Sequence, residues 1–342
     1  MRFNSLQFGK AMSAALFVLL LSVAGMKNAF AQIQVATLQH NDSISAFYGT
    51  SAFVEAHDAA ETGDIITLSS GTFVPTTITK AITLRGAGCA VDTAANTNPT
   101  IFGGEIILNV VDTANFLTIE GILFSNKVDY QTLYNPKFNR CNLTEIDYYG
   151  SYYMHNAEFV NCIIDKFYFS SANNTVLINS VVWQPYSYSN SRTVVLYNSI
   201  FRKNSSNSDG LSGYNSIIIR AISSSPSSYC SFINCIGIDT YSSSNHNAFG
   251  NAYTSGCATY ASYDAVFESF TGEFSFDEPF VLKNEIATGF LGGDGTQVGI
   301  YGGIMPYTNT PSYMLRTNVS VPNHSNLDGT LNVEIEIIDE GE

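Results

Sequence analysis

Short apolar runs, each broken once by a polar pair, recur through the middle of the chain. They read FVNCII at 159–164, VLINSVV at 176–182, VLYNSIF at 195–201, GYNSIII at 213–219 and FINCIGI at 232–238. In each, an Asn is followed by Cys or Ser and then by Ile or Val. The markers Cys162, Ser180, Ser199, Ser216 and Cys235 stand 18, 19, 17 and 19 residues apart. Going upstream, Cys141, Gly121, Gly104 and Gly86 extend the series at steps of 21, 20, 17 and 18. A fixed period of this length marks a solenoid. The runs are short, β-branched and aromatic, which predicts strands of four or five residues. Leucine-rich repeats need a dense Leu pattern with a helical segment, and helical repeats are longer, so neither fits.

Three short strands with their turns use about 18–20 residues, and such rungs stack as parallel strands about 4.8 Å apart. The pattern therefore predicts an all-β parallel β-helix, a single-stranded solenoid. Asn tolerates the left-handed backbone that a sharp bend between two strands requires. Asn161, Asn179, Asn198, Asn215 and Asn234 are expected to stack at that bend, hydrogen-bonded amide to amide along the axis. A row of ligand-binding Asn is the functional rival to this structural ladder.

The ends break the period. Ser51 to Phe73 reads SAFVEAHDAAETGDIITLSSGTF. Ser51 is a plausible N-cap, Glu55 suits the first turn, Gly63 can stop a helix, and Phe53, Ala56 and Ala60 share one face. A helix near 51–62 would cover the open edges of the first rung. After Pro306, YMLRTNVSV and TLNVEIEI read as two strands joined by a polar link, predicting a β-hairpin cap within 306–342. With these features the chain resembles the right-handed parallel β-helix proteins of the pectate-lyase-like superfamily, in which Asn ladders occupy such bends. The helix-strand opening is similar to theirs. PFVLKNEIATGFLGGDGTQVGIYGG, at 279–303, resembles the closing rungs of secreted bacterial members. The resemblance implies right-handedness and a helix domain over 32–305. It implies fold more than activity, because the fold serves many activities.

Arg2 and Lys10 precede the apolar AALFVLLLSVAG, and AFA follows at Ala29–Ala31. That arrangement predicts a signal peptide at 1–31, and with it a secreted, periplasmic or cell-surface protein without a lipid-bearing Cys at Gln32. The alternative is a retained anchor, although the run is short for a membrane span. No later segment is apolar for long enough to cross a bilayer. Removing Arg2, Lys10 and Lys27 takes three positive charges from a formal −14, leaving −17. Such a surface repels nucleic acid and anionic membranes. The six Cys show neither a C-x-x-C nor a zinc spacing, so they read as small buried residues ahead of a disulfide framework.

No catalytic residue can be named. The motifs of pectate lyases, polygalacturonases and pectin methylesterases are absent. Asp129, Asp147, Asp165 and Asp239 follow the markers at unequal offsets, which predicts that they do not share a row. Asp264, Glu268, Asp277 and Glu278 make a denser acidic stretch. Calcium is the ion such oxygen ligands would take. Lys166, Arg192, Arg202, Lys203 and Arg220 are the basic candidates. Tyr148, Tyr149, Tyr168, Tyr186 and Tyr188 follow successive bends and are expected to line one side of the solenoid, where exposed rings suit sugars. The expectation is a protein that binds or processes extracellular polysaccharide. A non-catalytic adhesive scaffold is the alternative. Three or more carboxylates on one outer face beside a Lys or Arg would favour the enzyme.

Overall fold

The structure is a computed structural model. It describes residues 33–92, 97–148, 152–186, 193–203, 210–220, 229–241 and 247–309, and the backbone of strands Leu315–Ser320 and Glu334–Asp339. The expected signal peptide lies outside these residues.

The chain winds into a right-handed parallel β-helix. Its first sheet runs from Ile65–Leu68 through eight intermediate strands to Tyr253–Ser255, and its second from Gly71–Phe73 to Ala258–Tyr260. Neighbouring strands in both are parallel and in register, as in Leu177 opposite Leu196 and Ile217 opposite Ile236. A third, three-stranded sheet, of Leu133–Tyr134, Met154–His155 and Ala172–Asn173, completes the middle rungs.

The bend from first to second sheet carries the left-handed residue of each rung. It is Gly121, Arg140, Asn161, Asn179, Asn198, Asn215, Asn234 and Gly256 in turn. All five expected Asn positions therefore hold the expected backbone, with φ of 46–53°. Three markers were misplaced. Gly86 and Gly121 stand level with Arg140 rather than Cys141, since Arg85 pairs with Glu120 and Glu120 with Asn139. Gly104 lies at the corner between Thr100–Phe102 and Ile106–Leu108, not at the bend between the first and second sheets. The rung between Gly86 and Gly121 is long because residues 86–99 separate its first-sheet strand from its second-sheet strand, where Gly121 alone does so one rung on.

Residues alternating inward fill the interior with stacked rings and branched chains. Phe73, Phe102 and Phe124 align across three rungs, and Phe138 stacks on Phe159 at 4.8 Å. Burying each such side chain contributes about 1.5–3 kcal/mol. The helix spans Ala52–Ala59, shorter than expected, because Ala60 is already extended. Phe53, Ala56 and Ala60 are buried as the pattern required. An antiparallel hairpin, Val35–His40 with Ser43–Tyr48, adds to the N-terminal edge of the first sheet. Its turn has Asn41 at φ 51°.

The segment 279–303 does not form closing rungs. The rungs end at Tyr260, and the chain then turns back along the outside of the second sheet. There Val266, Phe267, Phe270, Phe280, Leu282 and Ile300 cover an outward apolar strip that includes Ile163, Val181, Trp183, Ile200, Ile217 and Ile236. An outward-facing apolar strip on a sheet must be buried by something, and the returning tail does it. Leu315–Ser320 and Glu334–Asp339 pair antiparallel, the hairpin expected within 306–342.

Candidate functional site

The long strands of the second sheet turn a corner and continue. Past that corner Val128, Ile146, Phe167 and Pro185 occupy one inward column. The residues on either side of each point outward, in two columns four rungs deep. One column reads Lys127, Glu145, Lys166, Gln184. The other begins Asp129, Asp147 and ends Tyr168, Tyr186. Registered rungs hold the members of a column about 4.8 Å apart along the axis.

The alignment of Asp129 with Asp147 corrects the expectation that these carboxylates share no row. The strand Ile122–Tyr130 carries a bulge against its neighbour, between the pairs at Leu143 and Glu145. One extra residue shifts every later offset by one. Counting from the bend and allowing for that residue brings Asp129 and Asp147 level.

Charges in this face are held by one another. Lys166 Nζ lies 3.3 Å from Glu145 Oε2, and that bond raises the Lys166 pKa. Lys127 Nζ lies 2.8 Å from Asp129 Oδ2 and 4.0 Å from Glu105 Oε1. Asp129 is 1% exposed, and its buried Oδ1 meets no fixed donor. The neighbouring Glu105 carboxyl can supply one only when protonated, and this hydrogen bond raises the Glu105 pKa. Burial raises that of Asp147. Gln184 donates to Asp165 Oδ1 at 2.9 Å and accepts from the Tyr186 hydroxyl at 2.9 Å. The face thus sets Glu105 and Asp147, whose pKa values are raised, beside Asp129 and Glu145, which pair with lysines; carboxyl groups in unlike environments are what acid–base chemistry on sugars requires.

Of the expected tyrosines, Tyr168 and Tyr186 are half-buried and stack on each other at 4.8 Å and 16°. Coin-like stacking along the axis hides the inner ring faces. The pair offers a sugar its edges and hydroxyls rather than a flat platform. Tyr148 leans on Tyr130 at 6.4 Å and packs against the core. Tyr149 and Tyr188 lie outside the described residues, as does Arg192.

The Asn column is real, but the amide-to-amide bonds expected of it are not what its side chains make. Asn179 Nδ2 donates to the carbonyls of Ile300 and Gly302, at 2.8 and 2.7 Å. Asn215 Oδ1 accepts from Gly293 N. These amides hold the returning tail. A Cβ on Gly302 would come within 2.6 Å of Asn198 Nδ2, and one on Gly293 within 2.7 Å of Asn234 Nδ2, so glycines let the strap lie on the column. An amide ladder exists elsewhere. Asn174 donates to Asn156 at 3.1 Å and Asn156 to Asn135 at 3.0 Å, all three left-handed, at the bend that follows the third sheet.

The acidic stretch near the end is divided. Asp264 and Glu268 line one cleft of about 230 Å³, and Asp277 and Glu278 another of about 370 Å³ beside Tyr301 and Tyr307. Among the described residues, no three metal-ligating side chains of the His, Cys, Asp or Glu types come together. Arg220 and Asp239 form a buried ion pair at 2.9 Å, and Arg202 lies 4.5 Å above the Trp183 ring. His57 is on the buried face of the helix Ala52–Ala59, where burial lowers its pKa. No helix among the described residues is long and apolar enough to cross a membrane.

No family model, curated protein or solved structure matches this chain. The face past the corner therefore has to be read from its own chemistry.

Proposed function

We propose that the protein is exported and lays an extended, neutral polysaccharide across the outer face built by Lys127–Gln184 and Asp129–Tyr186. The observation that carries this reading is the registered pair of outward columns, with Glu105, Asp129, Glu145 and Asp147 beside Lys127 and Lys166 on one face. Three accessible carboxyl groups, Glu105, Glu145 and Asp147, with Asp129 buried beneath Lys127, favour a face that processes a glycan over one that only displays residues. Stacked rungs repeat the same donors and acceptors along the axis, which suits a polymer of repeating units. Carboxyl groups outnumber lysines there, so polyanionic chains are disfavoured unless a cation such as calcium bridges them.

A second reading, an adhesive scaffold, draws on the first sheet. Tyr197 stacks on Tyr214 at 5.2 Å, and Tyr197 is 43% exposed. Both readings are tested on a glycan array, with product assays on every glycan retained. The parent should bind and the Glu145→Gln, Lys166→Met variant should bind at least tenfold more weakly. Equal retention of both proteins would remove the second-sheet face from consideration. Loss on Tyr197→Ser alone would move the function to the scaffold face.

A further inference from the structure

We propose that Cys257 and Cys235 form a thiol–disulfide exchange site at the last rung, one that takes small-molecule disulfides. The residue after each bend points inward and stacks on its counterpart one rung away, and the last two members of that column are cysteines. Ile233 pairs with Ser255 and Ile236 with Ala258, so Cys235 and Cys257 lie level between them. The Cys235 backbone N–H donates to Cys257 Sγ at 3.4 Å. The neighbouring Cys235 side chain lowers the Cys257 pKa to about 7 despite its partial burial. At neutral pH a large share of Cys257 is thiolate, the nucleophilic form.

Access separates this pair from the others. Cys257 is half-buried beside exposed Ser255 and Gly256, at the end of the rungs. Cys141 and Cys162 stack in the same way but are fully buried, and burial pushes the Cys162 thiol well up. Stacked positions about 4.8 Å apart fall within the Cα separation that disulfides bridge.

The exchange balances in two steps. The Cys257 thiolate attacks one sulfur of RS–SR; a Cys257–SR bond forms, the RS–SR bond breaks, and RS⁻ leaves with the electron pair. Cys235 then attacks the Cys257 sulfur; a Cys235–Cys257 bond forms, the Cys257–SR bond breaks, and the second RS⁻ leaves with the electron pair, taking up the Cys235 proton on its way to solvent. The two cysteines lose two electrons to the small disulfide, and the new bond ties the last two rungs together.

Dithiobis(nitrobenzoate), added to the folded full chain, tests this by stoichiometry. The parent should release two thionitrobenzoate ions per chain, retain no adduct by mass, and yield a Cys235–Cys257 linked peptide. Cys235→Ser should release one ion and retain one adduct, on Cys257. Cys257→Ser should release none. Serine already occupies this column at Ser180, Ser199 and Ser216, so both variants keep a native column residue. Cys141→Ser, Cys162→Ser should match the parent. An adduct retained by the parent, no release from it, or release from Cys257→Ser at the parent's rate would overturn the proposal.

Discussion

Ser180, Ser199 and Ser216 each hold a fully buried hydroxyl between two rungs. Each accepts the backbone N–H of the preceding column member, at 3.0–3.2 Å, and donates to the carbonyl two residues earlier, at 2.8 Å. Cys141, Cys162, Cys235 and Cys257 make the same donation with sulfur. This column fulfils the satisfaction role that the Asn amides were expected to have. Ser199→Ala would strand the buried Ser180 N–H, a loss of about 1–3 kcal/mol. Ser199→Cys keeps a weak donor and acceptor already used in the column, so it should lose less. Urea unfolding of both variants decides; equal losses would mean that volume rather than hydrogen bonding governs the position. The period and the left-handed Asn were legible because they follow from residue type. The partners of the Asn amides were not, since nothing local in VLINS says that Ile300 and Gly302 will arrive above Asn179.

Elements past the corner show how one residue can hide a site. The bulge in Ile122–Tyr130 shifts Asp129 by one, and an unshifted count scatters two carboxylates that the structure aligns. The N-terminal hairpin was also within reach of the sequence, because HND between two alternating runs is a tight-turn signal. The returning tail was not, since 279–303 resembles closing rungs and nothing local in it says that it will lie outside the second sheet. Asp147 gives the second-sheet column a pH signature. Burial raises its folded pKa above the ordinary 3.8. The folded state then holds the proton more tightly than the unfolded state, so the stability linked to Asp147 is complete below 3.8 and lost as pH rises through the folded value. Asp147→Asn cannot ionise, and its side-chain oxygen can still accept the Tyr148 N–H. It should be more stable than the parent at neutral pH, with the gain vanishing below about pH 3.8. A gain that is constant with pH would show that ionisation is not its source. Asn179→Ala, by contrast, loses both bonds to the strap and forces Ala into φ 47°, a cost of about 2–4 kcal/mol. Protease cleavage within 291–303 should then precede cleavage in the rungs; an unchanged cleavage order would count against the strap.

Over the whole molecule, stability has two layers. A solenoid adds rung to rung through nearest-neighbour contacts. Here the tail runs across several rungs at once and couples them from outside. Trp183 is the chain's single tryptophan and sits beneath that tail, edge-on to Phe270 at 5.3 Å and stacked on Phe274 at 5.9 Å. Its fluorescence therefore reports the seam between tail and rungs, while far-UV circular dichroism reports the rungs themselves. Phe270 is 3% exposed and also meets Tyr263, Phe267 and Phe280. Phe270→Ala leaves a cavity where four rings converge, a loss of about 3–5 kcal/mol. No rung contains Phe270, so the loss falls on docking of the tail. In the variant, the fluorescence transition should move to lower denaturant than the dichroism transition, and the uncovered strip from Ile163 to Ile236 should bind an apolar dye between the two midpoints. Coincident, equally shifted transitions would instead make tail and rungs one cooperative unit, with the tail as integral to the fold as any strand.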